Sequence, residues 1–294
     1  MNRDLEIFSK IYKPYRIEKI NNVFIYKTMD GNYAIKINPK IDYKKLYKYL
    51  ESRSFNYVPE ILPDSKDSMV VFRYVEDTMI DKNQKILDLI NLVSLLHSKT
   101  FYFKEISTDK YKDIYSDIKD NILFIDNYYE SLFMEFINRE YNSPYEYLLL
   151  RNYTLIYNAC KYCLDKLESW YLLVKDKSKQ RVVLVHNNLK LEHMIKGMDE
   201  YLISWDQYTF DSPVLDLINL YKNEWENVSF FEVIDTYNNS FNLLEEERIL
   251  FDILISIPYK VELDSSEFER CKEFRRLINY LSKSSNIVSK AIEV

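Results

Sequence analysis

Between Ile17 and Ile37 apolar and polar residues alternate, and Asp30-Gly31 interrupts the alternation. The pattern predicts a hairpin of Val23-Phe24-Ile25-Tyr26 against Tyr33-Ala34-Ile35-Lys36. From Asp42 to Ser52 the period becomes that of a helix, with Leu46 and Leu50 four apart. Two more strand-like runs follow, Val58-Pro59-Glu60-Ile61-Leu62 and Met69-Val70-Val71-Phe72-Arg73-Tyr74-Val75, the second leading into a hinge at Glu76-Asp77. Beyond the hinge the apolar spacing is mostly helical. It runs through Ile86, Leu87, Ile90, Val93 and Leu96, then Asp109 to Val174 with a break near Asn142-Ser143-Pro144, then Phe230 to Phe241, Leu243 to Ile257 and Phe268 to Ile292. One stretch departs from this. The apolar run Val182 to Val185, and two short runs on either side of the turn-like Lys196-Gly197-Met198-Asp199, enclose a polar loop from His186 to His193. Strands first and helices after them give an α+β chain, read as a β-rich lobe over residues 1–76 and a helical lobe over 77–294.

Composition narrows the classes of function. With 294 residues, 47% of them hydrophobic, the chain can bury one large core or two modest ones. The net charge of -6 and the absence of a dense basic run argue against a nucleic-acid partner. No apolar stretch approaches the roughly 18–20 residues that span a bilayer, and Met1-Asn2-Arg3-Asp4 does not open a signal peptide, so a cytoplasmic protein is expected. Two glycines, Gly31 and Gly197, are too few for any glycine-rich phosphate loop, which excludes a Walker-type or Rossmann site. Cys160 and Cys163 have metal-like C-x-x-C spacing, but they fall inside a helical pattern with no second pair; core thiols are expected there. The 27 tyrosines, with many Asn, Lys and Ile, fit an AT-rich, bacterial genome and are not read as a binding surface.

The polar loop is where chemistry concentrates. Val185-His186-Asn187-Asn188-Leu189-Lys190-Leu191-Glu192-His193-Met194-Ile195, followed by Leu202-Ile203-Ser204-Trp205-Asp206, resembles the catalytic and metal-binding loops of the choline kinase and aminoglycoside phosphotransferase superfamily. The pattern there is His-Asn/Gly-Asp-Leu-x-x-x-Asn, then Ile-Asp-Trp/Phe-Glu/Asp. Asp211-Ser212-Pro213-Val214-Leu215-Asp216-Leu217 matches the Asp-Pro-x-x-Asp-Leu that follows, Leu95-Leu96-His97-Ser98 the Leu-His end of a large-lobe helix, and Ala34-Ile35-Lys36 the lysine strand. The resemblance implies a bilobal, protein-kinase-like fold with a small five-stranded antiparallel lobe. It implies that Lys36 contacts nucleotide phosphates and that ATP and Mg2+ are the cofactors to consider, although none is certain.

Three polar identities are changed. The acid/base position is Asn188, and the metal positions are His193 and Ser204. An amide takes no proton, an imidazole suits magnesium poorly, and a neutral hydroxyl is a weak ligand. The helix glutamate that pairs with the lysine in the superfamily falls on Tyr43, with Asp42 as a substitute after a shift, and Asn21-Asn22 stands where a phosphate turn is usual. His186 is read as a structural histidine bonded to backbone, and His97 likewise as structural. A kinase-like protein of impaired catalysis that binds a small molecule or a protein partner is the first expectation. The second is an active phosphotransferase acting on a choline-, ethanolamine- or aminoglycoside-like acceptor. In it Asp206, two residues from Ser204 and so on the same strand face, and Glu192 hold the metal instead. A transition-metal site of His186 and His193 lacks a third ligand at a recognisable spacing. An assembly role in the spore coat rests on likeness of fold alone.

Overall fold

The computed structural model describes residues 3–107 and 109–290; the Ile292 end expected for the last helix lies outside them. The chain opens with α1 (Arg3–Tyr12) and a four-stranded antiparallel sheet in chain order, β1 (Arg16–Ile20), β2 (Val23–Thr28), β3 (Gly31–Ile37) and β4 (Met69–Arg73). The β2–β3 register sets Tyr26 opposite Tyr33, as the alternation predicts. Its turn is closed by Thr28, whose Oγ1 accepts from the Asp30 N–H and donates to the Gly31 carbonyl, where φ is +143° and a side chain would be strained.

Period-two alternation gives this sheet two working faces. Tyr26, Ile35, Met69 and Val71 pack against Leu5 and Phe8 of α1, a helix the sequence reading did not find. Val70 joins the main core with Tyr43, Leu46 and Leu50 of α2 (Tyr43–Ser52). Because Ile35 faces α1, its neighbour Lys36 is turned to the α2 side. Asp42 caps α2 by accepting from the Lys45 N–H at 3.0 Å, so its carboxylate serves the helix and not Lys36. The fifth strand is not formed. Val58 to Leu62 reduces to a single bridge, Ile61 opposite Phe72, flanked by the bonds Arg73 N to Glu60 O and Leu62 N to Val71 O, both 2.9 Å. Pro59 and Pro63 lack the N–H groups a longer ladder needs.

The remainder is mostly helical: α3 (Lys82–Thr100), α4 (Lys110–Ile137), α5 (Pro144–Val174), α6 (Val214–Glu224), α7 (Phe230–Ser240), α8 (Glu245–Ser256) and α9 (Glu267–Lys290). The break at Asn142-Ser143-Pro144 is the start of α5, where Ser143 and Glu146 form a reciprocal capping box. Cys160 and Cys163 are buried on this helix as free thiols, and burial pushes both up, Cys160 to about 12. Trp170 is also buried in the core. Among the described residues no helix is long and apolar enough to cross a membrane.

One buried acid in α8 gives a pH-dependent stability. Burial raises the Asp252 carboxyl from 3.8 to about 6, against the opposing pull of Arg248, whose Nε donates to it at 3.1 Å. A carboxyl that holds its proton more tightly when folded stabilises the fold at low pH. That stabilisation is complete below about 4 and lost as pH rises through about 6. Asp252→Asn is therefore expected to raise the melting temperature at pH 8 and to leave it unchanged at pH 3.5. The difference should amount to at most about 3 kcal/mol of unfolding free energy. An equal effect at both pH values would refute it.

Candidate functional site

Short strands carry the polar loop. β6 (Lys179–Val185) lies between β5 (Tyr102–Glu105) and β9 (Thr209–Asp211), antiparallel to both, and β7 (Met194–Lys196) pairs with β8 (Glu200–Leu202). Between β6 and β9 the chain therefore leaves the sheet, makes the β7–β8 hairpin and comes back. Asn188, His193, Ser204 and Asp206 all lie within this excursion.

A buried acid fixes the loop where it leaves β6. The Asp216 side chain, fully buried one turn inside α6, accepts from the backbone N–H of His186 at 2.8 Å and of Asn187 at 2.7 Å. It also lies 3.1 Å from His97 Nε2, while His97 Nδ1 is 2.7 Å from the Tyr237 hydroxyl. Since the Asp216 carboxylate accepts, Nε2 carries the hydrogen of that bond. Asn187 enters the left-handed region at φ +59°, which asparagine tolerates better than most residues. Asn219 and Asn223, one face of α6, donate to Asn187 Oδ1 and to the Leu189 carbonyl at 3.2 and 2.9 Å.

The two loop histidines are held by backbone carbonyls. His186 Nε2 donates to Ile203 O at 2.7 Å, and His193 Nδ1 donates to Asn188 O at 2.6 Å. The His186 ring lies 4.8 Å from that of Trp205 and 5.9 Å from that of His193, and its buried Nδ1 has no hydrogen-bond partner among the described residues. Burial lowers the pKa of both imidazoles, which favours their neutral forms. His193 thus braces its own loop.

Asp206 does not share a strand face with Ser204. Ser204 is left-handed at φ +66°, and residues Trp205–Gln207 form a 3-10 turn in place of the expected strand geometry. The turn buries Trp205 completely and directs Asp206 across to the sheet. There its Oδ2 forms an ion pair with Lys36 Nζ, and its Oδ1 accepts from the Tyr43 hydroxyl at 3.1 Å. Lys36 Nζ also donates to the Tyr43 hydroxyl at 3.2 Å and lies 5.5 Å from that ring's centre. Burial first, then the Asp206 charge, pushes the Tyr43 phenol well above its ordinary value and keeps it neutral. Glu192 is 70% exposed, 3.6 Å from Lys190 and 3.8 Å from His193 Nε2.

Set against solved structures, the chain matches an aminoglycoside phosphotransferase from Alicyclobacillus acidocaldarius with a TM-score of 0.70 at 10% identity, over 96% of this chain and 93% of that one. The chain has the kinase-like fold of the aminoglycoside phosphotransferases. A second match with the same fold is the AMP-bound complex of a spectinomycin phosphotransferase, with a TM-score of 0.55 at 11% identity over 96% and 97% of the two chains. No family model matches the sequence, and no curated protein matches it.

The residues at the expected metal positions fit magnesium poorly: His193 offers nitrogen, Ser204 a neutral hydroxyl, and of the two expected substitutes Asp206 is engaged by a lysine and Glu192 is exposed beside Lys190. The Lys36–Asp206 pair was not anticipated from sequence. A charge argument would have narrowed the search: with tyrosine at the start of α2, a half-buried lysine needs a carboxylate from elsewhere, and the excursion between β6 and β9 supplies Glu192, Asp199, Glu200 and Asp206, among which the fold selects Asp206.

Proposed function

We propose that this protein is a catalytically impaired member of the kinase-like superfamily that acts by binding, as a regulatory pseudokinase, and not by transferring phosphate. The observation that carries this reading is the engagement of Asp206 by Lys36 and Tyr43. Phosphoryl transfer depends on a positioned acceptor and on metal charge. Asn188 supplies no base, a loss worth roughly 10²- to 10⁴-fold by itself, and the positions of His193 and Ser204 supply no anionic oxygen. ATP is the nucleotide we assign to the cleft. Lys36 on β3 supports this, as does the nucleotide carried by the spectinomycin phosphotransferase complex of the same fold.

We read residues 1–76 and 77–294 as the two lobes around that cleft. The joint is supported by the bonds that Thr78 N makes to Lys196 O, at 2.8 Å, and Lys196 N to Asp77 Oδ1, at 3.0 Å. A cytoplasmic setting belongs to the same reading and suits the free thiols. The active-enzyme alternative requires Asp206 and Glu192 on one metal ion. It is disfavoured because one pairs with Lys36 and the other lies at the surface beside Lys190. The test is ADP release from Mg2+-ATP in the presence of choline, ethanolamine or an aminoglycoside. No release above buffer is expected; turnover that collapses in Asp206→Asn would establish the alternative.

A further inference from the structure

Lys36 Nζ, only 14% exposed on its side chain, is held by two partners, the Asp206 carboxylate and the Tyr43 hydroxyl. Tyr43 is held protonated, so the charge that Lys36 meets is that of Asp206. His193, close enough to feel the Asp206 charge, spends its Nδ1 hydrogen on Asn188 O. Among the described residues the carboxylate on Lys36 is Asp206, which arrives from 170 residues away in the sequence after a left-handed residue, on a 3-10 turn. Asp206 thus occupies the place on Lys36 that an anionic ligand would take.

We infer that the cleft binds a nucleoside polyphosphate without a divalent cation, the phosphate displacing Asp206 from Lys36. This rests on the reading of the protein as an impaired, nucleotide-binding kinase-like chain. In a site lined by several carboxylates, a polyphosphate is repelled until a metal ion intervenes, and the ion is then part of the binding site. Here, among the described residues, Asp206 is the acid paired with the lysine, so no cation is needed to screen further carboxylates. The competing charge is internal and can be swung away. A consequence of sign follows. Removing the Asp206 charge frees Lys36 and strengthens anion binding, whereas in a metal-dependent site removing a carboxylate weakens it.

The experiment is calorimetric and thermal-shift titration of the full chain with ATP, ADP, adenosine and inorganic tripolyphosphate, each in Mg2+ and in EDTA. A ligand that binds the folded state raises its melting temperature. ATP affinity is expected to agree within about twofold between the two conditions, to tighten by about tenfold in Asp206→Asn, and to be lost in Lys36→Met/Asp206→Asn. The double variant leaves no buried charge unpaired, so its fold is retained, and its own melting temperature checks this.

Binding that needs Mg2+ overturns the proposal. So does weakening in Asp206→Asn, or ATP binding that survives the double variant. Tripolyphosphate binding as tightly as ATP overturns the nucleoside part of the assignment. No shift with any ligand also overturns it but leaves the impaired-catalysis reading standing, because that reading is tested by ADP release and not by affinity.

Discussion

Asp216→Ala is expected to cost the fold about 3–5 kcal/mol. The carboxylate is fully buried and serves two backbone N–H groups and the His97 ring. Truncation to a methyl group leaves three donors facing a dry interior, each of which costs about 1–3 kcal/mol when unmatched, and relaxation of the loop recovers part of that sum. Asp216→Asn keeps one acceptor oxygen but turns an NH2 group toward an existing donor, so it should lose more than half as much. Urea unfolding measures the global loss. Hydrogen exchange adds a local readout, because the amides of His186 and Asn187 should lose protection before those of β6. A variant with wild-type stability and undiminished protection of these amides would show that Asp216 does not anchor the loop.

Restoring three side chains should restore dependence on magnesium. In Asn188→Asp/His193→Asn/Ser204→Asp, two carboxylates and an amide oxygen replace an amide, an imidazole and a hydroxyl, giving the hard-oxygen set that Mg2+ prefers. The backbone favours the change at position 204, since aspartate enters the left-handed region more readily than serine does. ATP affinity in this variant is expected to be at least about tenfold higher in Mg2+ than in EDTA, against no difference in the wild type. Basal ATP hydrolysis should rise by about 10²-fold or more once a carboxylate base is present. A variant that folds and still shows no metal dependence would mean that these three side chains are not what sets the metal independence we propose.

The sequence was informative where a local signal exists. The β2–β3 hairpin was readable because alternation and an Asp-Gly turn are short-range features, and the break before α5 because Asn142, Ser143 and Pro144 are adjacent; the structure added that the break is a helix start capped through Glu146. The short strand at Val58 to Leu62 was over-read: its apolar residues suit a strand, but the flanking prolines remove the hydrogen bonds that would extend it. Helix α1 was missed because its apolar face is small, Leu5 and Phe8, and becomes meaningful only against the sheet. Asp216 was legible as part of the Asp-Pro-x-x-Asp-Leu match and not as the anchor of a loop 29 residues away.

By itself, then, the sequence determined the α+β order of elements, the location of the polar loop between buried strands, and the residue types at the loop positions on which the proposed function rests. Those are properties of residue type and of spacing within one element. Tertiary structure alone decided which charges meet. Lys36 and Asp206 are separated by 170 positions, and their pairing depends on the face that β3 turns toward α2 and on a left-handed Ser204 that directs the next turn toward that sheet. Charge pairing acts over a few ångströms of space, and only the folded chain sets that distance.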